Sequence, residues 1–195
     1  MVIVGGGRRG VGRMVAAACV GGLLLGAAGC TAAPKPAPPS PTPTIIPIFA
    51  SDEEALAAAT EAYSNYLRAS DEILMDGGQD PERIREFTST ELANSEIGSY
   101  REAQAQNLRS TGGSAFSNLT IQSVEPGPGT KDVVTAYVCS DVSVVDVLNE
   151  AGESVVSADR PDRTPFEVTF DLTENSAPRL VVASVAVWKG DGVCG

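Results

Sequence analysis

Hydrophobic and polar positions change period partway along the chain. From Leu56, the residues Leu56, Ala59, Tyr63, Tyr66 and Leu67 recur at helical spacing, which predicts one amphipathic helix. Ser51 stands three residues before Glu54, the spacing of a capping box, and marks its start. Asp76-Gly77-Gly78 marks its stop, because glycine accepts the left-handed conformation that closes a helix. Asp80-Pro81-Glu82 predicts a short second helix, with Asp80 as cap and Pro81 in the first turn. A third helix is expected from Thr88 or Thr90. It turns Leu92, Ile97, Tyr100 and Leu108 inward and ends before Gly112-Gly113.

Beyond Gly113 the pattern becomes strand-like. Phe116 to Val124 predicts one strand, followed by the turn cluster Glu125-Pro126-Gly127-Pro128-Gly129. The β-branched run Val133 to Val147 fits one bent strand or two separated by a bulge, and Asn149 to Gly152 a further turn. Phe166, Val168, Phe170 and Leu172 alternate with polar residues, as in a half-buried antiparallel strand. Leu180 to Trp188 is the last strand. Helices first and consecutive strands afterwards predict an α+β fold, with the helices packed on an antiparallel meander.

The front of the chain has a different character. Arg8, Arg9 and Arg13 precede an uncharged run of 16 residues, Met14 to Gly29, containing four glycines. A spanning helix needs about 20 predominantly apolar residues, so the run reads as the core of an export signal. Ala27-Ala28-Gly29-Cys30 resembles the bacterial lipobox, in which small residues precede a modified cysteine. That resemblance implies cleavage before Cys30, diacylation of its thiol and loss of Cys19 with the signal. Two acyl chains meet the requirement for stable anchoring. An uncleaved membrane helix and ordinary signal cleavage are the alternatives. Thr31 to Pro47 then holds seven of the thirteen prolines. Such a stretch cannot form a helix and favours polyproline II, a semi-rigid spacer of about 50 Å when extended. A proline-rich ligand for a partner domain is the other reading. Three segments follow: signal 1–29, lipidated cysteine and tether 30–49, and folded domain 50–195.

With Cys19 removed and Cys30 acylated, Cys139 and Cys194 remain. In an exported protein the simplest pairing is with each other; two free buried thiols are the alternative.

Charge and composition narrow the function. Loss of residues 1–29, which carry three Arg and no Asp or Glu, takes the formal charge from −11 to −14. Such a surface repels nucleic acid and anionic headgroups, and no basic stripe offsets it. The chain has no histidine, which excludes Ser-His-Asp and Cys-His catalysis and the commonest transition-metal ligand. Asp76-Gly77-Gly78-Gln79-Asp80 lacks the alternating acids of a calcium loop. No metal or cofactor is expected.

The order of elements over residues 50–195 resembles the NTF2-like, or cystatin-like, superfamily. The whole chain looks like the exported lipoproteins of actinobacterial type that carry such a domain. The resemblance implies a long first helix lying in a curved sheet, the two forming a cone with a pocket at its open end. Some members are isomerases or dehydratases, and many only bind ligands or partners. On this chain Tyr63, Tyr66, Tyr137, Asp141 and Trp188 would line that pocket, with Tyr137 and Asp141 on one face of a strand. No catalytic residue is assigned. The expected function is a non-enzymatic, lipid-anchored domain on the extracytoplasmic face of the membrane, binding a small apolar ligand or an envelope protein. An isomerase or dehydratase using a Tyr/Asp pair is one alternative, and a structural or assembly factor without a pocket is another.

Overall fold

A computed structural model of the chain describes residues 48–125, 133–174 and 177–195. The signal segment, Cys19, Cys30, the tether as far as Pro47 and most of the expected Glu125–Gly129 turn lie outside the described residues. Among the described residues no helix is long and apolar enough to cross a membrane.

The first helix, α1, spans Asp52–Met75. Ser51 Oγ accepts from the Glu54 N–H at 3.3 Å, and Glu54 Oε2 accepts from the Ala50 N–H at 2.7 Å. The box thus closes one residue before the cap. At the other end the Gly78 N–H reaches the Ile73 carbonyl at 2.8 Å and the Gly77 N–H reaches Leu74 at 3.0 Å, a Schellman closure. Gly78 sits at φ +78°, and a Cβ there would overlap the carbonyl oxygen of Tyr100. Only glycine lets the end of α1 come this close to the next helix.

The second helix departs from expectation. Pro81–Glu86 is a single 3₁₀ stretch, and Asp80 adopts the left-handed region with no capping bond from its side chain. With φ already positive at Asp80, its carboxylate is not turned toward the N–H groups of the following turn, and the short segment closes with i to i+3 bonds instead. The next helix, α2, spans Thr90–Ala105. Ser89 Oγ caps it by accepting from the Leu92 N–H at 3.2 Å.

Among the described residues six strands follow: β1 Arg109–Thr111, β2 Ala115–Val124, β3 Val134–Asp141, β4 Asp146–Leu148, β5 Arg163–Leu172 and β6 Leu180–Val187. Four form an antiparallel sheet in the order β2-β3-β5-β6, and β1 pairs with β4 in a separate two-stranded ribbon. The run Val133–Val147 is therefore divided between two sheets rather than bulged within one. Asp141 Oδ1 accepts from the Ser143 N–H at 2.9 Å, and the Val145 N–H turns back to the Val142 carbonyl at 3.0 Å. The Arg160 guanidinium then holds the carbonyls of Val142 and Val145 at 2.9 and 2.7 Å, fixing the corner.

α1 touches both edge strands, β2 and β6, so it lies across the sheet. Its buried face is Ala55, Ala59, Ala62, Tyr63, Tyr66, Ala69 and Ile73. The alanines allow close approach of the sheet, and the tyrosines fill the space between. Leu56, expected on this face, is 37% exposed and lies to one side. On α2 it is Ala93, rather than Leu92, that is fully buried with Ile97 and Tyr100. Val134, Ala136, Val138, Val168 and Phe170 meet α1 from the sheet, and the Tyr63 ring packs edge-on against Phe116 with centroids 5.0 Å apart. Ile48 and Phe49, read as the end of the tether, pack against the same core.

Candidate functional site

The space beneath α1 is filled with side chains, and a hollow lies along its N-terminal half. Glu54, Ala58, Glu61 and Asn65 follow one another at helical spacing and form a stripe beside the buried face. Across from them stands Phe87, the residue that ends the 3₁₀ stretch. The end of β5 at Leu172 and the entry to β6 at Arg179 and Leu180 make the far wall, and Ile48 and Phe49 close the near one. The cavity is about 310 Å³ and opens to solvent on one side.

Most of the polar lining is already engaged. Arg179 Nη2 donates to the Glu86 carbonyl at 2.9 Å and lies 3.5 Å from Glu86 Oε1, while its backbone N–H donates to Thr173 Oγ1 at 3.0 Å. Arg179 and Arg68 both stand over the Phe87 ring, at 6.0 and 5.9 Å from its centroid. Arg68 Nη2 also donates to Asn65 Oδ1 at 3.2 Å, and its Nη1 pairs with Glu72 at 3.4 Å. Glu54 holds the Ala50 N–H. Glu61 is exposed and makes no hydrogen bond or ion pair among the described residues.

The five residues expected to share a pocket are separated by the sheet. Tyr63 and Tyr66 are buried on α1, whereas Tyr137 and Asp141 lie on the opposite face of β3 from Ala136 and Val138, which pack under the helix. Strict alternation of side chains along a strand enforces this. Tyr137 stacks on Trp188 with centroids 4.4 Å apart. Cys139, on that same outer face, meets Cys194 at bonding distance, with Cα atoms 4.9 Å apart. The Trp188 N–H reaches the Pro165 carbonyl, and Asn118 Nδ2 reaches the Val193 carbonyl at 3.1 Å. The last residues thus fold back across the outer face from β6 toward β2. Asp141 is half-buried. Hydrogen bonds from the Ser143 hydroxyl and N–H, aided by nearby Arg163, hold its carboxyl below the usual range. It is bonded to no tyrosine among the described residues.

A carboxylate does meet tyrosine hydroxyls elsewhere. Glu96 on α2 accepts from Tyr66 at 3.0 Å through Oε1 and from Tyr100 at 2.5 Å through Oε2, and the Tyr100 hydroxyl shares a second bond with Ser70 at 2.9 Å. This cluster joins α1 to α2 and does not line the cavity described above. Burial first, and then the Glu96 charge, push the Tyr66 and Tyr100 hydroxyls far above the ordinary tyrosine range; burial alone pushes Tyr63 up to about 12. All three phenols are held neutral, and those of Tyr66 and Tyr100 act as donors rather than bases.

Sequence reasoning missed Phe87, Glu61 and Arg179. The one local signal was the stripe from Glu54 to Asn65. Phe87 and Arg179 are brought together only by the tertiary fold.

No protein-family model matches the chain, and no curated protein matches it. Among solved structures, the solution structure of a de novo designed β-sheet protein aligns with 72% of this chain and 92% of its own, at 14% identity and a TM-score of 0.31.

Proposed function

We propose that this chain is a non-enzymatic domain, anchored through acylated Cys30 on the extracytoplasmic face of the membrane, that binds a small apolar ligand in the groove between α1, Phe87 and the β5–β6 end. The observation that carries the reading is the groove itself. It is concave and walled by alanine, leucine and phenylalanine, and its volume is at the lower end of the range of about 300–1,000 Å³ typical of ligand sites. Four charged or polar side chains, Glu54, Glu61, Asn65 and Arg179, share the lining with eight apolar residues. Ile48 and Phe49, which directly follow the proline-rich stretch in sequence, line the groove, so on this reading a ligand binds near the tether's end. The cysteine pair supports export, since such a bridge persists in an oxidising compartment. The lipobox resemblance at Ala27–Cys30 supports the anchor.

The test is a thermal-shift screen of the full chain against lipids and envelope metabolites. A ligand selective for the folded state, present at 100 times its Kd, stabilises by about 2.7 kcal/mol and raises Tm by several degrees. The reading requires at least one apolar compound to give such a shift, and Ala58→Phe, which fills the groove from a half-exposed helix position, to abolish it. No shift across a broad library, together with retention of a folded envelope protein, would replace it with surface docking.

A further inference from the structure

We propose that the ligand of this groove is an amphiphile with a cationic head, a protonated amine carried on a short apolar chain. This rests on the ligand-groove reading above and adds the chemistry of the head. Four charged or polar side chains reach the lining, and their partners differ. The Arg179 guanidinium has its own carboxylate in Glu86, 3.5 Å away, and its Nη2 also donates to the Glu86 carbonyl, so its charge is already paired. The Asn65 carbonyl oxygen is taken by Arg68, which has its own carboxylate in Glu72. The other two charges in the lining are the carboxylates of Glu54 and Glu61, both on α1. Glu54 sits in the first turn, where the helix dipole already balances it, and it accepts a neutral N–H. Glu61 is two turns further on, beyond the reach of that dipole and without a partner among the described residues. It lines a hollow whose other wall is Phe87, Leu172, Leu180 and the Glu86-paired Arg179. A chain laid against that wall brings its head to Glu61. The field of the whole protein works in the same direction, since a formal charge of −11 draws cations and repels anionic amphiphiles.

Three probes of equal chain length separate the head from the groove: octylammonium, octanol and octanoate, titrated calorimetrically into the full chain carrying Cys30→Ser at low ionic strength. Octanol binds. Octylammonium binds about fivefold tighter than octanol and octanoate about fivefold weaker, the size of one partly exposed ion pair. The spread shrinks as salt is raised. Glu61→Gln, an exposed substitution that leaves the fold intact, brings octylammonium to the affinity of octanol without changing octanol itself, and Ala58→Phe abolishes all three. Equal affinity for octylammonium and octanol, or a preference that survives Glu61→Gln, overturns the cationic head and leaves the groove standing. Failure of all three probes to bind, or unchanged binding to Ala58→Phe, overturns the groove reading itself.

Discussion

Replacing Glu96 by alanine removes the acceptor that joins two helices. Tyr66, 7% exposed, has its hydroxyl bonded to Glu96, and Tyr100, 2% exposed, keeps Ser70 when Glu96 is gone. One buried phenol is left unpaired and one charge-assisted bond is lost outright. A buried donor without a partner costs about 1–3 kcal/mol, and a bond to a charged acceptor is worth about 1.5–3. These sum to about 2.5–6 kcal/mol, but Glu96 is only half-buried and water entering in its place recovers part, so the expected loss is at the low end, about 2–3 kcal/mol, or roughly 5–10 °C in Tm for a chain of this size. Urea unfolding with the disulfide intact, followed by circular dichroism and Trp188 fluorescence, measures it. Tyr66→Phe should cost about 1 kcal/mol alone. Combined with Glu96→Ala it should cost less than the sum, because the phenylalanine removes the donor that the alanine would strand; the coupling should reach about 1 kcal/mol or more. Glu96→Ala within about 0.5 kcal/mol of the parent, with additive effects in the double variant, would show that water replaces the Glu96 bonds to Tyr66 and Tyr100 at no cost. The result also bears on the groove, because the 3₁₀ stretch that carries Phe87 runs between the two helices this cluster ties together.

Two further outcomes follow from the interior and the outer face. Tyr63, Tyr66 and Tyr100 have hydroxyl pKa values raised in the folded state, so the unfolded chain loses its phenolic protons first. Stability should be full below about pH 10 and fall as pH rises above it; spectrophotometric titration should show these three ionising only as the chain unfolds, and free ionisation in the native fold would contradict their burial. Cys139 and Cys194 close a loop with a sequence separation of 55, which the chain-entropy account values at about 4 kcal/mol. Reduction or Cys139→Ser should lower the urea midpoint accordingly and expose Trp188 to quencher, whereas an unchanged midpoint would mean that the tail is held without the bridge.

What the sequence made legible was the regular part of the fold. α1, β2, β5 and β6 are long enough to show their period, and their capping residues and turns punctuate them. Cys139 and Cys194 could be matched because the other two cysteines had a separate reading. The ribbon of β1 and β4 could not be seen, since three-residue strands carry no period and β4 merges into the β-branched run of β3. The tyrosines illustrate a different limit. Tyr66 and Tyr137 look alike in a helix-then-strand pattern, but parity along β3 puts Tyr137 on the face away from α1. The Glu96–Tyr100 half of the buried cluster was readable as an i, i+4 pair on α2; its partner Tyr66 lies 30 residues earlier on α1. The groove is the least legible feature, because its walls come from positions 48 to 180 and close only when the β5–β6 end meets α1.

An exported, lipid-anchored domain makes one demand that a single spectrum answers. Intact-mass analysis of the full chain extracted from membranes should give a species beginning at Cys30, heavier by its acyl chains and lighter by the two hydrogens lost in joining Cys139 to Cys194. A species that keeps residues 1–29, or one with an unmodified Cys30 and two alkylatable thiols at Cys139 and Cys194, would contradict the account.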